Sequence, residues 1–234
     1  MIWFYLVVFM EDGNAMINVI YEDNHLLVVE KPINIPCQAD DSGDLDFLTM
    51  LKNYLKKKYD KKGNVYLGLV HRLDRPVGGI MVFAKTSKAA SRLSKQISLH
   101  EFKKKYFAVV CGKINKEGKF IDRLIKDNHN MVKVSNEGKL AELDYFLVSF
   151  KDNLSLVSID LKTGRSHQIR VQFSSRGFPL YGDHRYGNFK GHEQIALFAY
   201  TISFKHPISN EVLTFSLPIP KRYPFSVFRG VLGD

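Results

Sequence analysis

The sequence predicts an α+β fold: a mixed, mostly antiparallel sheet with flanking helices. Three observations carry that reading. Apolar strand-like runs outnumber helical patterns along the chain. Several neighbouring runs are joined by short polar turns, as in hairpins. The helical patterns are too few to alternate with strands in the way a doubly wound fold requires. The 234 residues are 45% hydrophobic and 25% charged, ordinary for a globular chain that buries its own core. That composition excludes disorder, a collagen-like repeat and a small disulfide scaffold. No internal repeat, low-complexity tract or linker interrupts residues 16–234, which are expected to form one domain.

The first fifteen residues stand apart. Residues 1–10 (MIWFYLVVFM) are almost wholly apolar. A spanning helix needs about 20 such residues, and neither a basic leader nor a small-residue cleavage site is present. Two readings of residues 1–15 remain, an extra edge strand or an over-called start with Met16 as the true one. The second is preferred, because Met16 opens a coherent strand run at 17–21. Residues 25–30 form another strand, stopped by Lys31-Pro32. Residues 42–58 read as a helix. Leu45, Leu48, Leu51 and Leu55 recur at spacings of three and four, and Ser42 or Asp44 can cap the start. The helix ends in Lys56, Lys57 and Lys58, where cations suit its dipole. Residues 65–70 and 79–85 are strands around a loop at 71–78. Residues 87–96 are helical, capped by Thr86 or Ser87, with Ala90, Leu93 and Ile97 on one face. Residues 105–110 return to strand, and 114–141 are polar and weakly patterned. Strands at 142–150 and 154–161 flank Lys151-Asp152-Asn153 as a hairpin. Residues 166–175 read as a helix with Gly177 just past its end. Strands at 195–204 and 212–217 close the chain.

Lysine plus arginine number 34 and aspartate plus glutamate 24, a net charge of +10. Such a surplus suits a polyanionic partner, either nucleic acid or an anionic membrane surface. No basic amphipathic helix with a broad apolar face supports the membrane. Cys37 and Cys111 form no C-x-x-C pair. Neither a zinc site nor a disulfide framework is indicated, and two isolated thiols fit a reducing cytoplasm. The histidines show no close metal-ligand spacing, so no structural metal is expected.

Two segments carry chemistry. His71-Arg72-Leu73-Asp74-Arg75-Pro76-Val77-Gly78-Gly79 crowds charge into a loop between two apolar strands, where rigid neighbours can position functional side chains. An ion-pair loop, with Asp74 between Arg72 and Arg75, is the plainer reading. In Thr163-Gly164-Arg165-Ser166-His167-Gln168-Ile169-Arg170, Gly164 permits a tight turn and the following helix offers free N–H groups to anions. Arg165 and Arg170 add donors suited to phosphate or carboxylate. A plain helix start capped by Ser166 is the alternative. A third segment, Tyr181-Gly182-Asp183-His184-Arg185-Tyr186-Gly187, reads as a surface loop.

Together these segments resemble the large-ribosomal-RNA and transfer-RNA pseudouridine synthase family, the RluA-type enzymes. GLVHRLDRPVGGIMVFAKT (68–86) carries the resemblance most closely. EDNHLLVVEKP (22–32), KKYFAVVCGK (104–113), TGRSHQIRVQF (163–173) and GDHRYG (182–187) match in the same order, so it extends from about residue 17 to the C-terminus. The resemblance implies the family's α+β catalytic fold and a cofactor-independent conversion of uridine in RNA to its C-glycoside isomer. It implies that Asp74 is the catalytic aspartate, Tyr106 the ring-stacking tyrosine and Arg165 the basic partner that holds the aspartate. Ile169 would line the uracil pocket, and Arg72 would fill the space left by a flipped base. Breaking the N1–C1′ bond leaves an electron-poor sugar and an anionic uracil. A carboxylate can trap that sugar or remove its 2′ proton, and the sequence leaves both routes open. Glycoside hydrolases need two carboxylates and a positioned water, whereas only one carboxylate stands out here.

Some residues depart from the family pattern. Pro76-Val77-Gly78 replaces a Thr-Ser-Gly-like stretch, Arg75 stands where Lys is also common, and Asn34 stands where Gly often follows Lys-Pro. Asn tolerates a left-handed backbone, so that turn can survive. Too few residues precede His25 for the S4 RNA-binding domain that many relatives carry. The catalytic domain is then expected to bind RNA itself, favouring a stem-loop of ribosomal or transfer RNA. Lys56–Lys62 and Lys103–Lys105 are candidate phosphate contacts. A cytoplasmic monomer that engages RNA and no membrane is expected. The alternative is a non-catalytic RNA-binding or RNA-folding protein on the same scaffold.

Overall fold

The computed structural model describes residues 6–9 and 16–231. The chain divides into two compact units. One holds the residues up to Phe102 together with Thr201–Leu217, and the other holds Lys103–Tyr200 and the residues from Pro218 onward. The first unit begins with β1 (Leu6–Phe9), β2 (Met16–Glu22), β3 (Leu26–Lys31), α1 (Phe47–Lys58), β4 (Gly68–Leu69), β5 (Gly78–Ala84) and α2 (Ser87–Ser98). The second contains β6 (Lys103–Cys111), β7 (Glu117–Lys126), β8 (Val132–Val134), β9 (Lys139–Lys151), β10 (Leu154–Leu161) and α3 (Gln168–Ser174). β11 (Leu197–Lys205) starts in the second unit and ends in the first, β12 (Val212–Ser216) belongs to the first, and a 3-10 turn (Phe225–Phe228) belongs to the second.

In the first unit, β1, β2, β3 and β5 lie side by side and antiparallel, and β4 also pairs with β5. Of the apolar extension, residues 6–9 form an edge strand on β2, with Leu6 opposite Val19. The rest of residues 1–15 lies outside the described residues. β5 is buried along its whole length and β3 nearly so. That is why β5 and the first four residues of β3 read as continuous apolar runs rather than as alternation.

Helix α1 begins five residues later than the leucine spacing suggests. Its cap is Asp46, whose Oδ1 accepts from the Thr49 N–H at 3.0 Å, rather than Ser42 or Asp44. Leu45 falls before the helix and is 60% exposed. Phe47, Met50, Leu51, Tyr54 and Leu55 form the buried stripe. The end of α1 is pinned by Glu22 of β2. That carboxylate accepts from Tyr54 Oη at 3.0 Å, Tyr59 Oη at 2.6 Å, and Lys58 and Lys85 Nζ at 2.7 Å each. Burial alone would raise the Glu22 pKa, but these donors reverse the effect and bring it to about 2. Helix α2 is capped by Thr86 as expected, Oγ1 accepting from Ala89 N–H at 3.2 Å.

In the second unit the strand order is β6-β10-β9-β7-β8, all antiparallel. β9 and β10 form the expected hairpin. Asp152 and Asn153 take left-handed φ values of 52° and 56°, as a two-residue turn matching strand twist requires. The stretch read as unpatterned holds β7, β8 and the start of β9. Helix α3 packs Phe173 against Phe120 and Tyr145 of the sheet, with ring centroids 5.0 and 5.5 Å apart. Among the described residues, antiparallel strands with three α-helices bear out the α+β expectation. Among the described residues no helix is long and apolar enough to cross a membrane.

Candidate active site

The loop that carries Asp74 in the first unit is tethered at nearly every residue. His71 Nε2 accepts from the Val82 N–H at 3.1 Å, and its ring lies 5.4 Å from that of Phe102. Cys37 Sγ meets both the carbonyl and the N–H of Leu73, at 3.1 and 3.4 Å. The Val77 N–H donates to the Asp74 carbonyl at 2.9 Å, closing a turn. Lys31, only 1% exposed, reaches up from the end of β3. Its Nζ donates to three main-chain carbonyls, Pro32 at 2.9 Å, Arg75 at 3.1 Å and Val77 at 2.9 Å. Burial pushes the Lys31 pKa down to about 8, while nearby Cys37 and Asp74 act in the opposite sense.

The two glycines that end the loop serve packing. A Cβ on Gly78 would come within 3.2 Å of the Lys31 carbonyl, and Gly79 adopts φ 127°. Asn34, in the turn after Lys31-Pro32, takes φ 65°, the left-handed geometry expected of a Gly substitute there. Asp74 is half-buried. Arg75 pairs with Asp44, a partner outside the loop that the charge sequence did not suggest. Arg72 is exposed and makes no hydrogen bond or ion pair among the described residues.

The remaining expected site residues lie in the second unit. Tyr106 is buried on β6, opposite Ile159 of β10. Ile169 is buried in α3. Arg165 is exposed in the turn between β10 and α3, and its Nε donates to the Leu140 carbonyl at 2.8 Å. Ser166 does not cap α3. His167 occupies the cap position in a left-handed conformation with no side-chain cap bond. Gln168 holds the turn instead: its Oε1 accepts from Thr163 Oγ1 at 2.8 Å and from the Arg165 N–H at 3.0 Å. Its Nε2 donates to the Glu142 carbonyl at 3.1 Å.

Arg170, read from the sequence as a donor suited to phosphate or carboxylate, is engaged by a carboxylate of its own unit. It is 6% exposed, and its Nε and Nη2 both donate to the Asp183 carboxylate at 2.8 Å. The guanidinium also lies 5.1 Å from the Tyr186 ring. A bidentate, charge-assisted pair of this kind fixes the guanidinium plane. Burial raises the Asp183 pKa, and Arg170 more than offsets it, so the acid lies below the usual carboxylate range. The 181–187 segment is therefore no simple surface loop. Asp183 is 1% exposed, and Tyr186 Oη meets both His167 Nδ1 at 2.7 Å and the Val132 N–H at 3.0 Å. Sequence reasoning missed Lys31, Thr163, Gln168, Asp183 and Tyr186 as organisers. For Lys31 the signal was a lysine ending an otherwise apolar strand; for the others nothing in spacing pointed to the partner.

Fold and loop together describe a scaffold that presents one carboxylate from an immobilised loop. The family described as RNA pseudouridylate synthase matches residues 25–175. An uncharacterized RNA pseudouridine synthase of Bacillus subtilis is 34% identical over 211 residues, covering 87% of this chain and 69% of that protein. Ribosomal large subunit pseudouridine synthase D of Zymomonas mobilis is 32% identical over 227 residues, covering 90% of this chain and 72% of that one. The fold matches Human RNA Pseudouridylate Synthase Domain Containing 4 with a TM-score of 0.74, at 22% identity, over 90% of this chain and 92% of that one. The chain belongs to the RNA pseudouridine synthase family, of the RluA type, and is an enzyme of that class.

Proposed function

We propose that the chain converts specific uridines of a ribosomal or transfer RNA stem-loop to pseudouridine, with Asp74 acting on the ribose. The supporting observation is the tethered loop. Main-chain bonds from Lys31 and Cys37 fix both neighbours of Asp74, so its carboxylate is held on an ordered backbone, as positioning catalysis requires. The N1–C1′ bond breaks and uracil leaves with the bonding pair. Asp74 either bonds to C1′ or takes the 2′ proton. Uracil then turns, C5 bonds to C1′, and the C5 proton departs. Tyr106 stacks on the extruded uracil and relays that proton. Arg165 is the cation that serves the catalytic carboxylate, Ile169 lines the base pocket, and Arg72 occupies the gap in the stack. The names of the Zymomonas mobilis and Xanthomonas campestris relatives, each a ribosomal large subunit synthase at 32% identity, favour large-subunit ribosomal RNA as the first target to map.

The test is tritium release from uracil C5 of total RNA taken from cells lacking the gene. Wild-type protein should release tritium. Asp74→Asn should release none while still binding RNA, and Arg165→Ala should release it far more slowly even at saturating RNA. Full release by Asp74→Asn would remove Asp74 from the chemistry.

A further inference from the structure

Lys104 lies two residues before Tyr106 on β6. Strand alternation therefore puts Lys104 and Tyr106 on one face, and Lys103 and Lys105 on the other. The two outer lysines are exposed, whereas Lys104 is half-buried. Its Nζ lies against the turn that carries Arg165: a Cβ added to Gly164 would stand 3.0 Å from it. Burial holds its ammonium below the ordinary lysine range. Among the described residues it has neither a hydrogen-bond acceptor nor a carboxylate partner. Other lysines of the same unit are matched, Lys119 with Glu142 at 2.6 Å and Lys162 with Asp144 at 3.2 Å. A desolvated cation without a counter-charge is unfavourable in the free protein. Its retention makes sense if an anion completes the site. A lysine head is a compact charge with rotatable donors, suited to a single phosphate rather than to a planar base edge.

We propose that Lys104 binds the RNA phosphate adjoining the target uridine. The inference rests on the reading of Tyr106 as the group that stacks on that uracil. One neutralised phosphate contributes about 0.7 to 0.9 to the slope of log affinity against log salt. That corresponds to roughly five- to tenfold in affinity near 0.1 M salt.

The experiment measures binding of the full chain to a fluorescein-labelled oligouridylate and to bulk transfer RNA across a potassium chloride series. Lys104→Met should lose that slope and that affinity, with the turnover loss falling on KM rather than kcat. Lys104→Arg should restore both. Without RNA, Lys104→Met should melt at the same temperature as wild type or higher, because a partnerless cation has been removed. An unchanged salt slope would overturn the proposal. So would a lower melting temperature coupled to a kcat defect, which would make Lys104 a structural post. Lys104→Gln carries the same slope measurement should Lys104→Met be insoluble. Failure of the catalytic reading shows separately, as undiminished tritium release by Asp74→Asn.

Discussion

Replacing Lys31 with methionine tests whether the Asp74 loop is held from beneath. The substitution keeps the length and apolar stem of the side chain and removes the ammonium. Three carbonyls, those of Pro32, Arg75 and Val77, then lose their shared donor. Each buried acceptor left unmade costs about 1–3 kcal/mol, so the gross loss is roughly 3–9 kcal/mol. Against this stands the strain of keeping a charge there. A fall in pKa from 10.5 to about 8 corresponds to about 3 kcal/mol that the ionised form forgoes near neutrality. The net expectation is a loss of about 3 kcal/mol, or roughly 6–12 °C in melting temperature for a chain of this size. Activity should fall more than binding, since small displacements of a reacting group cost up to about a hundredfold in rate.

The effect has a definite pH signature. Between about pH 8 and 10.5 the native state has released the Lys31 proton while the unfolded chain still holds it. Stability from this group therefore rises with pH across that window. The gap between wild type and Lys31→Met should widen from pH 8 to 10, read by thermal melts, with kcat measured by tritium release. A variant that melts and turns over like wild type at every pH would refute the clamp.

Two further outcomes follow from buried charges. Glu22 has a pKa of about 2 against 4.5 for the free acid, so its contribution is complete above pH 4.5 and lost as pH falls toward 2. Glu22→Gln should erase up to about 3 kcal/mol of acid-sensitive stability, seen as a flatter acid-melting profile. Asp183→Ala should strand the Arg170 guanidinium and lower stability by about 3–5 kcal/mol, whereas replacing both residues by leucine and valine should recover much of it. Denaturant melts of the single and double variants decide that point, and equal losses in both would refute pairing as the cause.

Much of the fold was legible because burial and spacing agree. β3 opens on four consecutive apolar residues and β5 is apolar throughout, α2 has its threonine cap, and the β9–β10 turn carries residues that tolerate positive φ. β7 was illegible for a physical reason. Its inward positions are Phe120, Asp122 and Leu124, and the middle one is an acid. Asp122 accepts from Gln172 Nε2 at 2.7 Å and pairs with Arg176 at 3.0 Å. A tertiary partner satisfies a polar residue on the core side, and the apolar alternation that marks a strand disappears. The start of α1 was misplaced because Leu45 extends the helical spacing by one step, while the backbone turns at Asp46. Spacing reports which residues can share a face; it does not report where a side chain first captures an N–H.

The loop around Asp74 shows the same division between what charge patterns reveal and what the fold uses. By sequence, Asp74 stands between Arg72 and Arg75 with nothing to say which arginine pairs with it. The structure separates them through the backbone. His71, Leu73, Arg75 and Val77 all have main-chain or ring tethers, and the Arg75 side chain is taken by Asp44. Among the described residues the Arg72 side chain is left without a hydrogen bond or ion pair. In the second unit the same test divides the two arginines of the Thr163–Arg170 segment. The donors of Arg170 are spent on Asp183, while Arg165 gives only its Nε to a carbonyl at the exposed turn. A charge becomes a candidate for chemistry when the fold positions its backbone and does not consume its head. Among the described residues Arg72 and Arg165 meet that condition, Arg75 and Arg170 do not, and the phosphate-binding role proposed for Lys104 rests on the same condition.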